Sequence, residues 1–307
     1  MNTNGVDLDE AGVARWLREH HAPDATAVEA VGAGAWSRGF GFTTAEGDFV
    51  IRIGDHVDDF EKDRIASRYR SVDLPIPEVV AIGRASRGYY AISTRVHGTP
   101  LEQCAADDWQ ALAPSVVRLL GALRDAAPVG AGFGGWDHTG NAQHPTWRSF
   151  LLAVADDGPT RRTHGWSEKL RRSEHGDAAF GRFLQRLDDS TLDGFPRSII
   201  HGDLINRNVH VDDDRVTGVF DWGCSTYGDH LYDLAWFVFW SPWHPNLDLT
   251  PLRATTGDIL GDHIQQRLLA CLLHIGLDHI AYNAHLDDWR EVANVERRLS
   301  EVWNEHR

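Results

Sequence analysis

The sequence predicts an α+β protein in two lobes, a small N-terminal lobe with an antiparallel five-stranded sheet plus a helix and a larger, mainly helical C-terminal lobe. Three observations point there. From Ala27 to about Arg95, β-rich runs alternate with glycine-containing breaks around one helical stretch. After His97-Gly98-Thr99-Pro100 the apolar spacing turns helical. One β-like hairpin interrupts the helical part, and polar residues gather beside it.

In chain order, Asp7 followed by Glu10 reads as a capping box, with Val13, Trp16 and Leu17 as the apolar stripe of a short leading helix. Residues 28–31, 40–43 and 49–53 read as three strands of a hairpin meander, parted by breaks at 32–39 and 45–48. A helix is expected over 58–71, then two strands near 78–83 and 88–95, giving the order β-β-β-α-β-β. The linker at 96–100 divides a 1–96 lobe from a 97–307 lobe. Beyond it, helices are expected over 109–127, 146–155, 177–187, 229–240 and 262–284, with a single β insertion, 208–211 against 216–220, around Asp212-Asp213-Asp214-Arg215.

The chain has 307 residues, 42% hydrophobic and 24% charged, enough for real cores. A formal charge of −15 argues against a nucleic-acid partner and suits a cationic substrate. The longest apolar stretch, 231–243, is broken by Asp233 and Pro242, so no membrane association is expected. The first residues lack the basic start and apolar run of a secretory signal, so the protein is expected in the cytoplasm, as a monomer with a dimer left open. Cys104, Cys224 and Cys271 match neither a zinc nor a disulfide spacing and read as buried or neutral thiols. Only Lys62 and Lys169 are lysines, against 28 arginines.

The chemistry gathers in His201-Gly202-Asp203-Leu204-Ile205-Asn206-Arg207-Asn208, the hairpin, and Phe220-Asp221-Trp222. If the hairpin pairs antiparallel, Asn208 and Asp221 return to its open end and offer two oxygens to one point. A hard cation such as magnesium takes one or two such ligands and completes its shell with phosphates and water. Asp203, five residues before Asn208, reaches the same space and can accept a hydroxyl proton. His201 and Asp233 read as braces of this loop, and Asp229 as a helix N-cap.

The His-x-Asp-x-x-x-x-Asn loop, the aspartate thirteen residues on, and Gly228-Asp229-x-x-x-Asp233-Leu234-Ala235 resemble the aminoglycoside phosphotransferase family and, more remotely, protein kinases. The likeness extends through 37–42, 49–52, Lys62-Asp63-Arg64, Leu74-Pro75-Ile76-Pro77, Thr146-Trp147-Arg148 and 239–243. It implies a bilobal protein-kinase-like fold with ATP or GTP and Mg2+ between the lobes, Asp203 and Asn208 as catalytic residues, and a hydroxyl acceptor against the helical lobe. The acceptor implied is an antibiotic, a hygromycin B-like aminoglycoside first; nucleoside antibiotics of the capuramycin type, macrolides and metabolic alcohols stay open. Six residues between Asp221 and Gly228 leave no room for a protein kinase's activation segment.

The family's strand-three lysine is replaced by Arg52, which keeps the charge but not the shape and makes an inactive nucleotide-binding module the rival from another class. The resemblance makes Asp63 or Glu61 the partner of Arg52 and puts the base beside Ser93 to Val96, with Ser93 and Arg95 among the nucleotide residues. The glycine-containing loop 32–37, with Gly34 and Ser37, could lay N–H groups and a hydroxyl over phosphates. For the acceptor, Trp240 and Trp243 offer faces for sugars and amines, and Asp278 a carboxylate.

Overall fold

The structure, a computed structural model, describes residues 9–34, 36–85, 88–173, 176–254 and 263–306. Helix α1 (Glu10–His20) begins where the Asp9 carboxylate accepts the Gly12 N–H at 2.7 Å. Asp7 lies outside the described residues, and Glu10 accepts the Ala30 N–H instead of closing a capping box. Val13 and Leu17 bury the stripe of α1 on the sheet. The sheet consists of β1 (Thr26–Ala33), β2 (Ser37–Thr44), β3 (Gly47–Gly54), β4 (Val79–Arg84) and β5 (Tyr89–Thr94), antiparallel throughout in the order β1-β2-β3-β5-β4. Arg52 therefore stands on the central strand.

Helix α2 (Val57–Ala66) is shorter than expected; Ser67 turns its hydroxyl onto the Arg64 carbonyl and the chain tightens into a 3-10 turn, Ser67–Tyr69. Beyond β5, the two-residue strand β6 (Thr99–Pro100) already pairs with β10 (Val209–Asp212), which pairs with β11 (Arg215–Val219). The helices are α3 (Ala106–Asp125), α4 (Trp147–Leu152), α5 (Trp166–Arg172), α6 (Asp177–Ser190), α7 (Leu231–Trp240), α8 (Thr250–Ala254), α9 (Ile264–His285) and α10 (Trp289–His306). Thr146 and Ser149 close a capping box at the start of α4.

The expectation of a single β insertion is wrong. Strands β7 (Phe133–Trp136), β8 (Ala142–His144), β9 (Ser198–Ile200) and β12 (Thr226–Gly228) form a second sheet in the order β8-β7-β12-β9. Three- and four-residue strands are too short to show a period. Helix α10, passed over in the sequence, buries Val292, Val295, Leu299 and Val302 on one stripe against α9.

Apolar burial, worth roughly 1.5–3 kcal/mol per large side chain, falls into two clusters. One joins α1 to the five-stranded sheet. The other fills the helical part and takes in Ile65, Ala66, Leu74 and Ile76, so the end of α2 is anchored in the larger core. Among the described residues no helix is long and apolar enough to cross a membrane. The cysteines are unpaired and fit the expected buried or neutral thiols: Cys271 is buried, and Cys224, though exposed, has its pKa pushed up by desolvation and stays neutral.

Candidate active site

The hairpin closes as its pattern predicts. Val209 faces Val219, and the Phe220 N–H donates to the Asn208 carbonyl at 3.0 Å, so Asn208 and Asp221 emerge at the same open end. Asp221 sits in the left-handed region at φ 66°, and the loop before the hairpin bends through Asn206 and Arg207 at φ 61° and 70°. These turns direct the side chains inward from an irregular backbone.

Asp233 accepts the N–H groups of His201 and Gly202 at 2.9 and 2.8 Å. His201 accepts the Asp203 N–H at Nδ1, 3.2 Å, so its Nε2 carries the hydrogen donated to the Phe220 carbonyl at 3.1 Å. Burial holds this ring neutral by pushing its pKa down to about 4. The N-cap of α7 is His230 rather than Asp229, which stands one residue earlier, accepts the Leu231 N–H and is gripped by Arg267 at 2.7 and 2.8 Å.

Asp203 accepts from the Asn206 amide at 2.8 Å and from the Asn208 amide at 2.9 Å. Desolvation pushes its pKa up to about 7, the nearby Asp221 charge adds to that, and the two amides oppose it. A carboxyl near neutrality is suited to exchanging protons at physiological pH. The Asn208 amide nitrogen also donates to the Asp203 carbonyl at 2.9 Å, which turns its oxygen toward the Asp221 side.

Arg52 ion-pairs with Asp63 and lies 3.5 Å from the Asp221 carboxylate. Glu61 turns instead to Arg64. Asp63 also accepts the Trp222 N–H at 2.9 Å, joining α2 to the residue after Asp221.

Two cavities meet here. The first, about 540 Å3, runs along β1, β3 and β5 and includes Gly34, Ser37, Arg52, Asp63, Ser93 and Arg95. The N–H groups of Thr94 and Arg95 are already given to Glu78 and Asp48, so a base there must use other groups of the segment. The second, about 800 Å3, is lined by Asp203, Phe150, Tyr232, Trp236, His274 and Asp278 among others. Gly34, Ser37, Arg52, Asn206, Asn208 and Asp221 line both cavities and form their common throat.

Trp240 and Trp243 line neither cavity. Trp240 is half-buried among Trp236, Phe239, Trp243 and His279, an apolar packing role, and Trp236, one turn earlier, lines the second cavity instead. Asp278 does line it, held at 2.9 Å by Arg161. Sequence reasoning missed Asn206, Trp236, Arg161 and Arg162. Asn206 was findable, lying three residues after Asp203 in the motif; the two arginines sit on a loop with no periodic signal.

A kinase-like pair of lobes, with a basic side chain on the central strand and a carboxylate loop facing a polar hairpin end, defines a phosphotransferase. Residues 27–263 match the model of the phosphotransferase enzyme family, APH, and the chain belongs to that family. Hygromycin-B 4-O-kinase of Escherichia coli is 31% identical over 268 residues, covering 80% of this chain and 72% of the relative. A thermostable mutant of aminoglycoside phosphotransferase APH(4)-Ia in ternary complex with AMP-PNP and hygromycin B superposes with a TM-score of 0.82 at 28% identity, over 94% of this chain and 97% of that one. A complex of another such mutant with ADP and hygromycin B gives the same TM-score, 0.82, identity, 28%, and coverage, 94% and 97%.

Proposed function

We propose that this phosphotransferase moves the γ-phosphoryl group of ATP or GTP onto a hydroxyl of an aminoglycoside antibiotic of the hygromycin B type, inactivating it. The observation that carries this reading is the common throat. The nucleotide occupies the first cavity, the antibiotic the second, and Asp203 lies on the acceptor side of the point where they meet. The relatives bound to a nucleotide and hygromycin B support the same assignment.

Asp203 receives the acceptor hydroxyl's proton as its oxygen bonds to the γ-phosphorus and the bond to the bridging oxygen of the departing nucleoside diphosphate breaks. General-base help of this kind contributes roughly 10²–10⁴ in rate. Arg52, held by Asp63, lies along the donor phosphates, and the loop carrying Gly34 and Ser37 covers them. Ser93 to Val96 border the base.

Asn208 and Asp221 suit Mg2+, since the Asn208 amide hydrogens are spent on Asp203 and its oxygen is left for a hard cation beside the Asp221 carboxylate. When bound, the ion neutralises charge on the β and γ phosphates. Asp278 and Trp236 receive the cationic sugar in the second cavity.

The lobe boundary falls between residues 96 and 97 on this reading. Reliance on a nucleoside triphosphate supports a place in the cytoplasm.

The test is a nucleotide-consumption assay with ATP and GTP plus magnesium across hygromycin B, other aminoglycosides, macrolides and nucleoside antibiotics, with product mass read for each. A gain of one phosphate on hygromycin B is expected. Nucleotide binding with no phosphorylated product from any acceptor would sink the reading.

A further inference from the structure

Both lysines of this arginine-rich chain hold main-chain carbonyls. Lys169 donates to the His285 carbonyl at 2.6 Å, where α9 ends, and to Asp287 at 2.7 Å. Lys62, on α2, donates to the carbonyls of Gly223 and Ser225 at 2.9 and 3.2 Å, and its ammonium lies 5.7 Å from the Trp136 ring. Lys62 thus gathers two main-chain carbonyls, as Arg197 does for Gly130 and Gly132, while Lys169 joins one carbonyl to a carboxylate. Elsewhere, even at Arg52 on the phosphate side, the chain uses arginine.

The two carbonyls held by Lys62 flank Cys224, in the turn that follows Asp221. The neighbouring positions of α2 grip the same turn. Asp63 accepts the Trp222 N–H, and Asp59 packs so closely that a Cβ on Gly223 would lie 3.2 Å from its carboxyl carbon. Asp59 is itself held by Arg162 at 2.8 and 2.9 Å. Residues 59, 62 and 63 share one face of the helix at i, i+3 and i+4, and that face meets the turn. The turn opens on Asp221 at φ 66°, a conformation that residues other than glycine seldom hold unaided.

We propose that Lys62 is a positioning residue of the phosphoryl-transfer site: seated on the Gly223 and Ser225 carbonyls, its ammonium holds the turn that aims the Asp221 carboxylate toward Asn208. This rests on the reading of Asp221 as the magnesium ligand. Burial lowers the affinity of Lys62 for its proton, in keeping with an ammonium shut away from water on neutral partners.

The test compares wild type, Lys62→Met, Lys62→Arg and Lys62→Gln by calorimetric ATP binding with and without magnesium, by the magnesium dependence of turnover, and by amide exchange over 221–226. Lys62→Met should bind ATP without metal within twofold of wild type but lose at least tenfold of the magnesium-dependent gain, with faster exchange in the turn and an unchanged acceptor KM. Lys62→Arg should recover part of the loss, since a guanidinium can hold paired carbonyls as Arg197 does. Lys62→Gln, which keeps an amide donor, should fall between and is the variant read if the methionine form does not fold. A folded Lys62→Met or Lys62→Gln protein with wild-type magnesium dependence overturns the proposal. Should Asp221→Asn leave magnesium dependence intact, the site reading itself fails, whatever the lysine variants do.

Discussion

The two cavities beside Asp203 are built differently. The first is lined by residues of β1, β3 and β5, many of them small or apolar, with charges at Glu29, Arg52, Asp63, Arg95, Arg207 and Asp221. The second is walled by side chains from α2, α4, α7, α9 and two loops, with carboxylates at Asp59, Asp156 and Asp278 facing Arg161 and Arg162. A strand edge recognises what many ligands share, because main-chain groups are the same whatever the side chain. A wall of side chains from six segments recognises one shape, and any of those segments can change it without unfolding a sheet. The contrast assigns the constant substrate, a nucleotide, to the first cavity and the variable one to the second.

The sharpest challenge lies beside the throat, at Asp203, where one change should stop transfer and leave the donor side bound. Asp203→Asn is expected to lower kcat by about 10³–10⁴ while calorimetric nucleotide binding stays within twofold; normal turnover would break the assignment. On the donor side, Arg52→Ala should raise the nucleotide KM by roughly 10–100-fold and leave the acceptor KM unmoved. Arg52→Lys should recover part of that loss.

On the acceptor side the expected change is smaller and reversed. Asp278→Ala or Trp236→Ala should raise the acceptor KM about tenfold with an unchanged nucleotide KM. Trp243→Ala should shift it less than twofold, because Trp243 does not reach the cavity. An equal effect at Trp236 and Trp243 would erase the boundary drawn between lining and packing.

The smallest effect is one of pH. Burial pushes Asp203 up to about 7, so the folded chain holds this proton where an unfolded carboxyl, titrating near 4, has lost it. The fold's advantage is full below about pH 4 and is lost as pH rises through about 7. Asp233, pushed up to about 6, runs the same way. His201 and His274, pushed down to about 4, oppose them, since their stabilisation is present above about 6.5 and lost as pH falls toward 4. Between pH 6 and 8 the Asp203 loss, about 1 kcal/mol or roughly 2–4 °C in Tm, is opposed by the histidines, so it is read as a difference between wild type and an Asp203 variant. Turnover should rise over the same interval as the base ionises. A thermal-shift series should find the Tm of Asp203→Asn rising relative to wild type by roughly 2–4 °C from pH 6 to 8, and an unchanged slope in that variant would remove Asp203 as the cause.

The same contrast explains what could be read in the sequence. The five-stranded sheet showed itself through runs of four or more β-branched and aromatic residues between glycines, and the throat through the fixed intervals from Asp203 to Asn208 and Asp221. Both are local in the chain. The second sheet was illegible because its strands are three or four residues long and pair across intervals of up to about ninety positions, as Tyr227 does with Gly134. The acceptor wall was misread for a related reason: Trp236 and Trp240 are one helical turn apart on α7, and only the packing of α9 decides which of them faces the cavity. Arg162, which meets Asp59 from across the chain, leaves no pattern in its own neighbourhood.

The left-handed residues around the throat carry a consequence for how such an enzyme can evolve. Asn206, Arg207 and Asp221 each hold a positive φ that costs a residue with a side chain roughly 1–2 kcal/mol and costs glycine little. Selection for heat resistance alone would therefore favour glycine at these positions. At Asp221 it would remove the carboxylate together with the strain, giving a hardier protein that has lost one wall of the throat. At Arg207, an exposed residue that borders the first cavity but not the second, the same exchange offers added stability at a smaller loss. Laboratory lineages under drug and heat together should thus accept glycine at 207 and refuse it at 221.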